Sequence, residues 1–273
     1  MAKKLRIGIV GCGAIGTSIA RAINREFRAQ AKLASLFDID RKKALLLAAK
    51  LKNKGIIALS LDSLIKKSDL IIEAADANAS LAITKRALNK GRDVIIMSVG
   101  GIVSHMDQLN TLAKKNRSRV YIPSGAICGI DSLKAISLRK VKKVVLTTRK
   151  NPRSFEDSEY IRRKGIRLDK IKKDTVLFYG DARQAIKLFP RNVNVAATLS
   201  IAGIGQARTK VKIIASNRIK RNIHEIYIES EAAKISARVE NSLHRDNPKT
   251  SFLAVLSAIA TLRQILQPVR IGT

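Results

Sequence analysis

Three glycines near the start of the chain have the spacing of a loop that binds phosphate. Gly11, Gly13 and Gly16 follow a short apolar run from Leu5 to Val10 and precede a helix-forming stretch from Thr17 to Arg28. In such a loop the first glycine permits a tight turn, the second lets the backbone approach a pyrophosphate, and the third lets the helix pack on the strand. The free N–H groups of the helix N-terminus then face the phosphates. The residues predicted to bind a dinucleotide here are Gly11, Gly13, Ala14, Ile15 and Gly16.

A carboxylate lies at the spacing expected for the ribose of such a dinucleotide. The second strand-like run begins at Lys32 and ends in Asp38, which lies 22 residues after Gly16. Asp38 is predicted to accept hydrogen bonds from the adenosine ribose and to repel a 2′-phosphate, which favours NAD. Arg41, three residues later, is a residue type that accommodates the 2′-phosphate of NADP, so both cofactors stay open. The alternative is a helix-capping glycine turn with a solvent-exposed Asp. The order strand, glycine loop, helix, strand, acid favours the nicotinamide dinucleotide, with NAD or NADP as the cofactor.

Length and composition restrict the class of protein. The 273 residues, 46% of them hydrophobic, are enough for one large or two modest domains with a proper core. Only two cysteines occur, so neither a disulfide framework nor a metal site is predicted, and a cytoplasmic location is expected. No apolar run reaches the roughly eighteen residues that span a bilayer, and the first strand leaves no room for a signal peptide. A membrane is therefore not an expected partner.

The chain is strongly basic. It has 53 Lys and Arg against 21 Asp and Glu, so that 53 − 21 gives a net charge of +32. Such an excess raises nucleic acid as a partner, but the basic residues are spread along the chain and aromatic residues make up only 4%. We interpret the charge as a solvated surface that attracts anionic cofactor and substrate, and nucleic acid is not an expected partner.

The first part of the chain alternates strand-like and helical runs, which is typical of an α/β fold with a doubly wound parallel sheet. Residues 1–123 are therefore predicted to form a dinucleotide-binding Rossmann domain. The predicted strands are Arg6–Val10, Lys32–Asp38, Ile56–Leu59, Leu70–Glu73, Val94–Met97 and Val120–Ile122.

The pattern changes after Pro123. Residues 124–244 are predicted to form a smaller α+β domain with a mostly antiparallel sheet. A final amphipathic helix from Lys249 to Leu266, with Pro248 near its first turn, is predicted to return to the first domain, so that residues 245–273 complete it. The predicted strands of the second domain are Lys143–Thr148, Val176–Tyr179, Lys210–Ala215, Ile223–Ser230 and Ala232–Val239.

Three runs in the second half carry a family resemblance. The runs IPSGAICGID (122–131), FPRNVNVAATL (189–199) and RNIHEI (221–226) resemble the domain junction and substrate-domain signatures of the L-aspartate dehydrogenase family. The resemblance covers essentially the whole chain, with departures at Asp76, where the family has Ser, and at 242–245, where it more often has Pro. It implies NAD(P)-dependent oxidation of L-aspartate to iminoaspartate by hydride transfer from Cα, supply of quinolinate for NAD biosynthesis, and a homodimer formed through the second-domain sheet.

The resemblance also implies site residues. It marks His224 as catalytic, and a group that titrates near neutrality suits the proton that the amine must lose before hydride departs. As imidazolium, the same ring would instead hold a substrate carboxylate. Ala126 and Asn194 match cofactor-contact positions, while Asn192, close by, is a competitor that caps the next helix. Lys150 lies in a run similar to the family's and is a candidate for binding a substrate carboxylate.

Several alternatives stay open at this point. Homoserine dehydrogenase shares the same domain order, and so does dihydrodipicolinate reductase, although the His pair expected of the latter is absent from the sequence. A dinucleotide-sensing protein that binds nucleic acid leaves Asn194 and His224 without a purpose. A relic that binds cofactor without turnover is disfavoured because candidates are intact at all the family's positions. Cys128 lies beside the presumed site, but hydride transfer needs no thiol, and this cysteine is predicted to be small, buried packing.

Overall fold

A computed structural model of the chain describes residues 3–190, 194–244 and 247–272. These residues form two compact units. The first contains the chain up to Pro123 together with Val255–Arg270, and the second contains Ser124–Ala254 and the last few residues.

The first unit is built on a five-stranded parallel sheet in the order β2-β1-β3-β4-β5. The doubly wound parallel sheet expected from the sequence is confirmed. The strands are β1 Leu5–Val10, β2 Ala31–Phe37, β3 Leu70–Glu73, β4 Asp93–Ile96 and β5 Val120–Tyr121. The helices are α1 Ala14–Arg25, α2 Arg41–Lys50, α3 Leu61–Lys67, α4 Ala77–Asn89 and α5 Met106–Lys115.

The strand predicted at Ile56–Leu59 is wrong. Residues Lys54–Ile56 form a 3-10 turn, and the extended pairing is limited to one parallel bridge between Ile57 and Leu36. The apolar run buries the side chains of Ile56 and Ala58 but leaves Leu59 exposed. Hydrophobicity here therefore reflects packing of a turn against the edge of β2 and not a paired strand.

The order of strands places two loops side by side. β1 pairs with β2 on one side and with β3 on the other, so the connections leave the sheet in opposite directions at this point. Ligands of doubly wound sheets bind outside the carboxyl ends of the strands at such a switch point. The loops that follow β1 and β3 are the glycine loop and the run that begins at Ala74.

The second unit is built on a five-stranded mixed sheet in the order β10-β9-β6-β8-β7. Only β6 and β8 pair in parallel, so the expectation of a mostly antiparallel sheet is confirmed. The strands are β6 Val141–Lys150, β7 Thr175–Asp181, β8 Thr209–Ala215, β9 Asn222–Ser230 and β10 Lys234–Asn241. The helices are α6 Ile130–Ile136, α7 Glu159–Arg163, α8 Ala182–Leu188 and α9 Asn194–Ala202.

The last helix begins later than predicted. Asn247–Ser251 forms strand β12, which pairs with β11 (Leu243–His244), and helix α10 spans Phe252–Leu266. The start predicted at Lys249 is wrong because pairing within this ribbon prevails over local helix propensity, and the Phe252 N–H donates to the carbonyl oxygen of Ser242. From Val255 onward α10 is part of the first unit, where Ala258 and Leu262 are buried in its core.

Candidate active site

The glycine loop lies between β1 and α1 and is open on one side. Gly11 has φ +96°, and a Cβ on it would lie 2.3 Å from the carbonyl oxygen of Ala74. A Cβ on Gly16 would lie 1.9 Å from the carbonyl oxygen of Gly11, so both positions exclude a side chain. A Cβ on Gly13 would meet no atom of the described residues within 4 Å. Gly13 therefore leaves the backbone accessible to a ligand while the other two glycines pack.

The N-terminus of α1 suits an anion. Its N-cap is Gly13, which offers no side-chain acceptor, and the first turn contains no acidic residue. The first N–H groups of a helix lack intrahelical acceptors and carry partial positive charge. Because Ala14, Ile15 and Gly16 form this turn, the residues present fit the pyrophosphate of a dinucleotide.

Asp38 follows β2 directly, and its carboxylate lies against the glycine loop. Oδ2 accepts a hydrogen bond from the Cys12 N–H at 2.7 Å, and Oδ1 accepts one from the Asp40 N–H at 2.9 Å. Burial, with a smaller effect of Asp38, raises the pKa of the Cys12 thiol to about 12, so this thiol stays neutral. Arg41 is the first residue of α2 and is exposed. The acid predicted to contact the ribose is thus held by the backbone of the loop itself.

Glu73, which sequence reasoning did not single out as a site residue, organises the carboxyl edge of this sheet. It ends β3 and is fully buried. Its two oxygens accept from the N–H groups of Ala75 and Ser98 and from the hydroxyls of Ser80 and Ser98, at 2.9–3.0 Å. Burial nevertheless raises the pKa of this carboxyl group. An acid at the end of an otherwise apolar strand was the signal in the sequence.

Asp76, one of the departures from the family pattern, has a structural role. It is the N-cap of α4, and its Oδ1 accepts from the N–H groups of Asn78 and Ala79 at 2.8 and 3.1 Å. Asp and Ser are both strong N-cap residues, so either residue type suits this position.

In the second unit, His224 lies next to Thr148 and Lys150. Thr148 is directly opposite His224 in the antiparallel pairing of β6 with β9, and Oγ1 of Thr148 lies 3.0 Å from Nδ1 of His224. Side chains of a strand alternate between its two faces, so Lys150 shares the face of Thr148. The exposed fractions are only 3% for His224, 4% for Thr148 and 8% for Lys150. We call these three residues the His–Thr–Lys cluster.

The electrostatics of the cluster keep His224 neutral. Burial, together with the Lys150 ammonium, lowers the pKa of His224 to about 3. Burial also lowers the pKa of Lys150 to about 8. The face becomes apolar one step along both strands, where Leu146 is opposite Ile226. The cluster is therefore a polar end of an otherwise hydrophobic sheet face, with a neutral imidazole beside a cation.

The loop that precedes α6 and contains Ala126 is held at the same end of this sheet. Nδ2 of Asn241 donates to the carbonyl oxygen of Ala126 at 3.0 Å, and both residues are buried. Asn241 is opposite Asn222 in the pairing of β10 with β9, and Asn222 lies two residues before His224. The structure thus brings Ala126 to the end of the sheet that carries His224.

Three other positions considered in the sequence have different outcomes. Asn194 is the first residue of α9, with an exposed side chain, and α9 contacts β8. Asn192 lies outside the described residues. Cys128, predicted to be buried packing, is exposed, so that prediction is wrong. It directly precedes Gly129, the N-cap of α6, which has a φ of +77°.

Thr148 is the functional candidate that sequence reasoning missed. It lies two residues before Lys150, which places both on one strand face, but only the register of β6 against β9 shows that it faces His224. Among the described residues, no group of three or more His, Cys, Asp or Glu is arranged to hold a metal ion. Within the same residues, no helix is long and apolar enough to span a membrane.

A dinucleotide loop on a parallel sheet, followed by a mixed sheet with a buried histidine, defines the class of two-domain nicotinamide-dependent dehydrogenases. Residues 11–123 match the model of the NAD-binding domain of homoserine dehydrogenase, and residues 131–265 match that of the C-terminal region of aspartate dehydrogenase. A homoserine dehydrogenase of a hyperthermophilic archaeon, solved with NADPH, shares the fold at 16% identity, with a TM-score of 0.58 over 96% of this chain and 98% of that one.

Relatives that match this chain over its full length identify the family more specifically. The L-aspartate dehydrogenase of Methanosarcina acetivorans is 49% identical over 98% of this chain and 100% of its own length. That of Methanocaldococcus jannaschii is 38% identical, with the same coverage. The crystal structure of aspartate dehydrogenase from Thermotoga maritima has a TM-score of 0.73 and 25% identity, covering 99% of this chain and all of that one. The chain belongs to the L-aspartate dehydrogenase family.

Proposed function

We propose that this protein oxidises L-aspartate to iminoaspartate with NAD or NADP. The observation that carries the proposal is the His–Thr–Lys cluster, which lies in the part of the chain that matches aspartate dehydrogenases and at the end of the sheet where Asn241 holds the carbonyl of Ala126. The first unit would bind the dinucleotide through its glycine loop and Asp38, and the second would bind the substrate, with Ala126 and Asn194 as its proposed cofactor contacts. A homodimer and use of the product for quinolinate and NAD biosynthesis stay predictions from the family.

The reaction needs a neutral amine and a departing hydride. The substrate's ammonium group loses a proton, the Cα–H bond breaks, and the nitrogen lone pair forms the C=N bond. The nicotinamide cofactor supplies the electron sink that takes up the hydride. Gly11, Gly13, Ala14, Ile15, Gly16 and Asp38 are the residues proposed to bind the dinucleotide, together with Ala126 and Asn194.

The His–Thr–Lys cluster is proposed to receive the substrate. With a pKa of about 3, His224 is a neutral imidazole at physiological pH, so it does not hold a carboxylate as a cation. Lys150 is the cation of the cluster below about pH 8 and is proposed to attract a substrate carboxylate. His224 then contacts the substrate through its second nitrogen, Nε2, because Nδ1 faces Thr148.

Turnover tests the proposal directly. Near-ultraviolet absorbance of the reduced cofactor is followed with L-aspartate and NAD or NADP, beside L-glutamate, L-alanine and L-homoserine. We expect reduction with L-aspartate, and a loss of about 10²- to 10³-fold in kcat for His224→Ala, the range for removal of one positioned hydrogen-bonding group from an active site. His105→Ala, which changes an exposed histidine of the first unit, is the matched control and keeps its activity.

Two outcomes would contradict the proposal. Turnover of L-homoserine in preference to L-aspartate would assign the protein to the homoserine dehydrogenases, whose NAD-binding model matches the first unit. Cofactor binding without turnover of any of the four amino acids would exclude the dehydrogenase activity.

A further inference from the structure

The contact between Thr148 and His224 determines more than the position of the ring. The two residues are directly opposite each other on adjacent strands, their exposed fractions are 4% and 3%, and 3.0 Å separates Oγ1 from Nδ1. This is a hydrogen-bond distance, and a neutral imidazole has one protonated and one unprotonated nitrogen. The hydroxyl therefore faces a nitrogen that either donates to it or accepts from it.

The two arrangements differ in whether the hydroxyl hydrogen of Thr148 has an acceptor. If Nδ1–H donated to Oγ1, the hydroxyl hydrogen of Thr148 would be buried without an acceptor, because within the described part of the chain its side chain bonds to His224 alone. If instead the hydroxyl donates to Nδ1, the hydroxyl hydrogen of Thr148 has an acceptor and only the lone pairs of Oγ1 are left without a donor. A buried donor without a partner costs more than spare lone pairs, so the second arrangement is favoured.

We infer that Thr148 is a positioning residue whose hydroxyl donates to Nδ1 of His224 and so holds the ring in the tautomer that carries its hydrogen on Nε2. Which ring nitrogen of a histidine carries the hydrogen is commonly determined by the hydrogen bond that the other nitrogen makes. The low pKa of His224 agrees with this arrangement, because it leaves the imidazole neutral at physiological pH.

The tautomer decides what His224 offers to a ligand. A ring with hydrogen on Nε2 is a donor and binds a substrate carboxylate oxygen, and it does not accept the proton that the substrate's ammonium group loses. This consequence deepens the proposed function and rests on it for the identity of the substrate. The tautomer itself is a property of the ligand-free protein and is measurable whether or not L-aspartate is turned over.

Nitrogen-15 NMR of histidine-labelled protein tests the tautomer. The chain has three histidines, so His105→Gln and His244→Gln identify their signals and leave those of His224. Two-bond proton–nitrogen correlations distinguish a ring protonated on Nε2 from one protonated on Nδ1. We expect the Nε2-protonated pattern at neutral pH. A ring protonated on Nδ1, or an imidazolium, would overturn the inference.

Variants of Thr148 test the cause. Thr148→Val removes the donor at nearly constant volume and is expected to mix the two tautomers and to lower kcat with L-aspartate by about tenfold to a hundredfold. Thr148→Ser keeps the hydroxyl and restores both the spectrum and the rate. Thr147→Val, the same change at the next residue and on the opposite strand face, leaves both unchanged.

Circular dichroism and the signals of the other histidines show that each variant is folded. An unchanged His224 spectrum in folded Thr148→Val, or a Thr148→Ser spectrum like that of Thr148→Val, would show that the hydroxyl does not set the tautomer. If the spectra behave as expected but no variant or wild-type protein oxidises L-aspartate, the proposed function fails and the tautomer assignment stands.

Discussion

At the scale of single residues, the carboxylate of Asp38 has a fixed orientation in the protein without a ligand. Both oxygens of its carboxylate accept backbone N–H groups, from Cys12 and from Asp40, so its orientation does not depend on a bound ligand. A carboxylate that is fixed before binding loses less conformational entropy when it accepts the hydroxyls of a ribose. If Asp38 binds the ribose as proposed, the same fixed charge repels a 2′-phosphate.

Replacement of Asp38 is therefore expected to change the cofactor preference. In Asp38→Ser, kcat/KM with NAD falls by about tenfold or more, because a hydrogen bond to a charged acceptor is lost. The value with NADP falls less or rises, because the repulsion of a 2′-phosphate is removed and Arg41 stays in place. Steady-state kinetics with both cofactors measure the ratio.

The matched control for this change lies two residues away. Asp40 caps α2, because its Oδ1 accepts from the Lys42 N–H, and Ser is also a strong N-cap. Asp40→Ser is therefore expected to keep the helix and the ratio of the kcat/KM values with NAD and NADP. An unaltered NAD-to-NADP ratio in Asp38→Ser would show that Asp38 does not contact the ribose.

At the scale of elements, the sequence predicts the strands of the site but not their register. The sequence predicts a strand at Ile223–Ser230, and the structure has β9 at Asn222–Ser230, with His224 near its start. The period of two in β6 and β9 is satisfied equally well if one strand slides by two residues, because the buried face stays buried. The pairing of Thr148 with His224 follows from packing across the sheet, so no local pattern reveals it.

Packing with other parts of the chain also overrides local propensity in the two elements whose prediction is wrong. Helix formers from Lys249 onward favour a helix, yet Asn247–Ser251 forms a strand in which Ser251 pairs with Leu243 of β11. The apolar residues at 56–59 indicated a strand, yet only Ile57 bridges the sheet. By contrast, the glycine loop was predictable from sequence because its requirement is local: a side chain at Gly11 or Gly16 would collide with nearby backbone.

Burial of His224 on β9 has a consequence for stability against acid. Its pKa is lowered to about 3 in the folded protein, against about 6.5 for an unperturbed histidine. Between these values the unfolded chain binds a proton that the folded one does not, so the free energy of unfolding falls as the pH is lowered from about 6.5 towards about 3. The slope from this one residue is up to about 1.4 kcal/mol per pH unit.

Urea denaturation at a series of pH values measures this slope. His224→Gln, which does not titrate, is expected to lose less stability across the window than the wild type. Carboxylates whose pKa is lowered, such as Asp69 beside Arg6, contribute to both proteins alike. His105→Gln changes an exposed histidine and should follow the wild type. Parallel curves for the wild type and His224→Gln would mean that the folded protein does not hold this imidazole neutral.

At the scale of the whole molecule, the net charge of +32 leaves acidic groups scarce. Individual acids are shared between two arginines: Glu225 pairs with Arg149 and Arg238, and Asp69 lies near Arg6 and Arg92. Most of the remaining positive charge lies on the surface and repels itself in the compact state. The folded protein therefore carries an electrostatic cost that depends on ionic strength, whatever the charge contributes to the attraction of anionic ligands.

Salt is accordingly expected to stabilise this protein. The screening length falls from about 30 Å at 0.01 M to about 3 Å at 1 M monovalent salt, so repulsion between distant cations is removed over this range. A gain of about 2 kcal/mol would raise Tm by roughly 4–8 °C for a chain of this size. Differential scanning calorimetry in increasing NaCl measures the shift. The double variant Lys172→Glu, Lys173→Glu changes two exposed residues and lowers the net charge to 32 − 4 = +28, so its Tm should be higher at low salt and should respond less. A Tm that falls with NaCl, or equal responses of the two proteins, would show that the basic surface does not oppose folding.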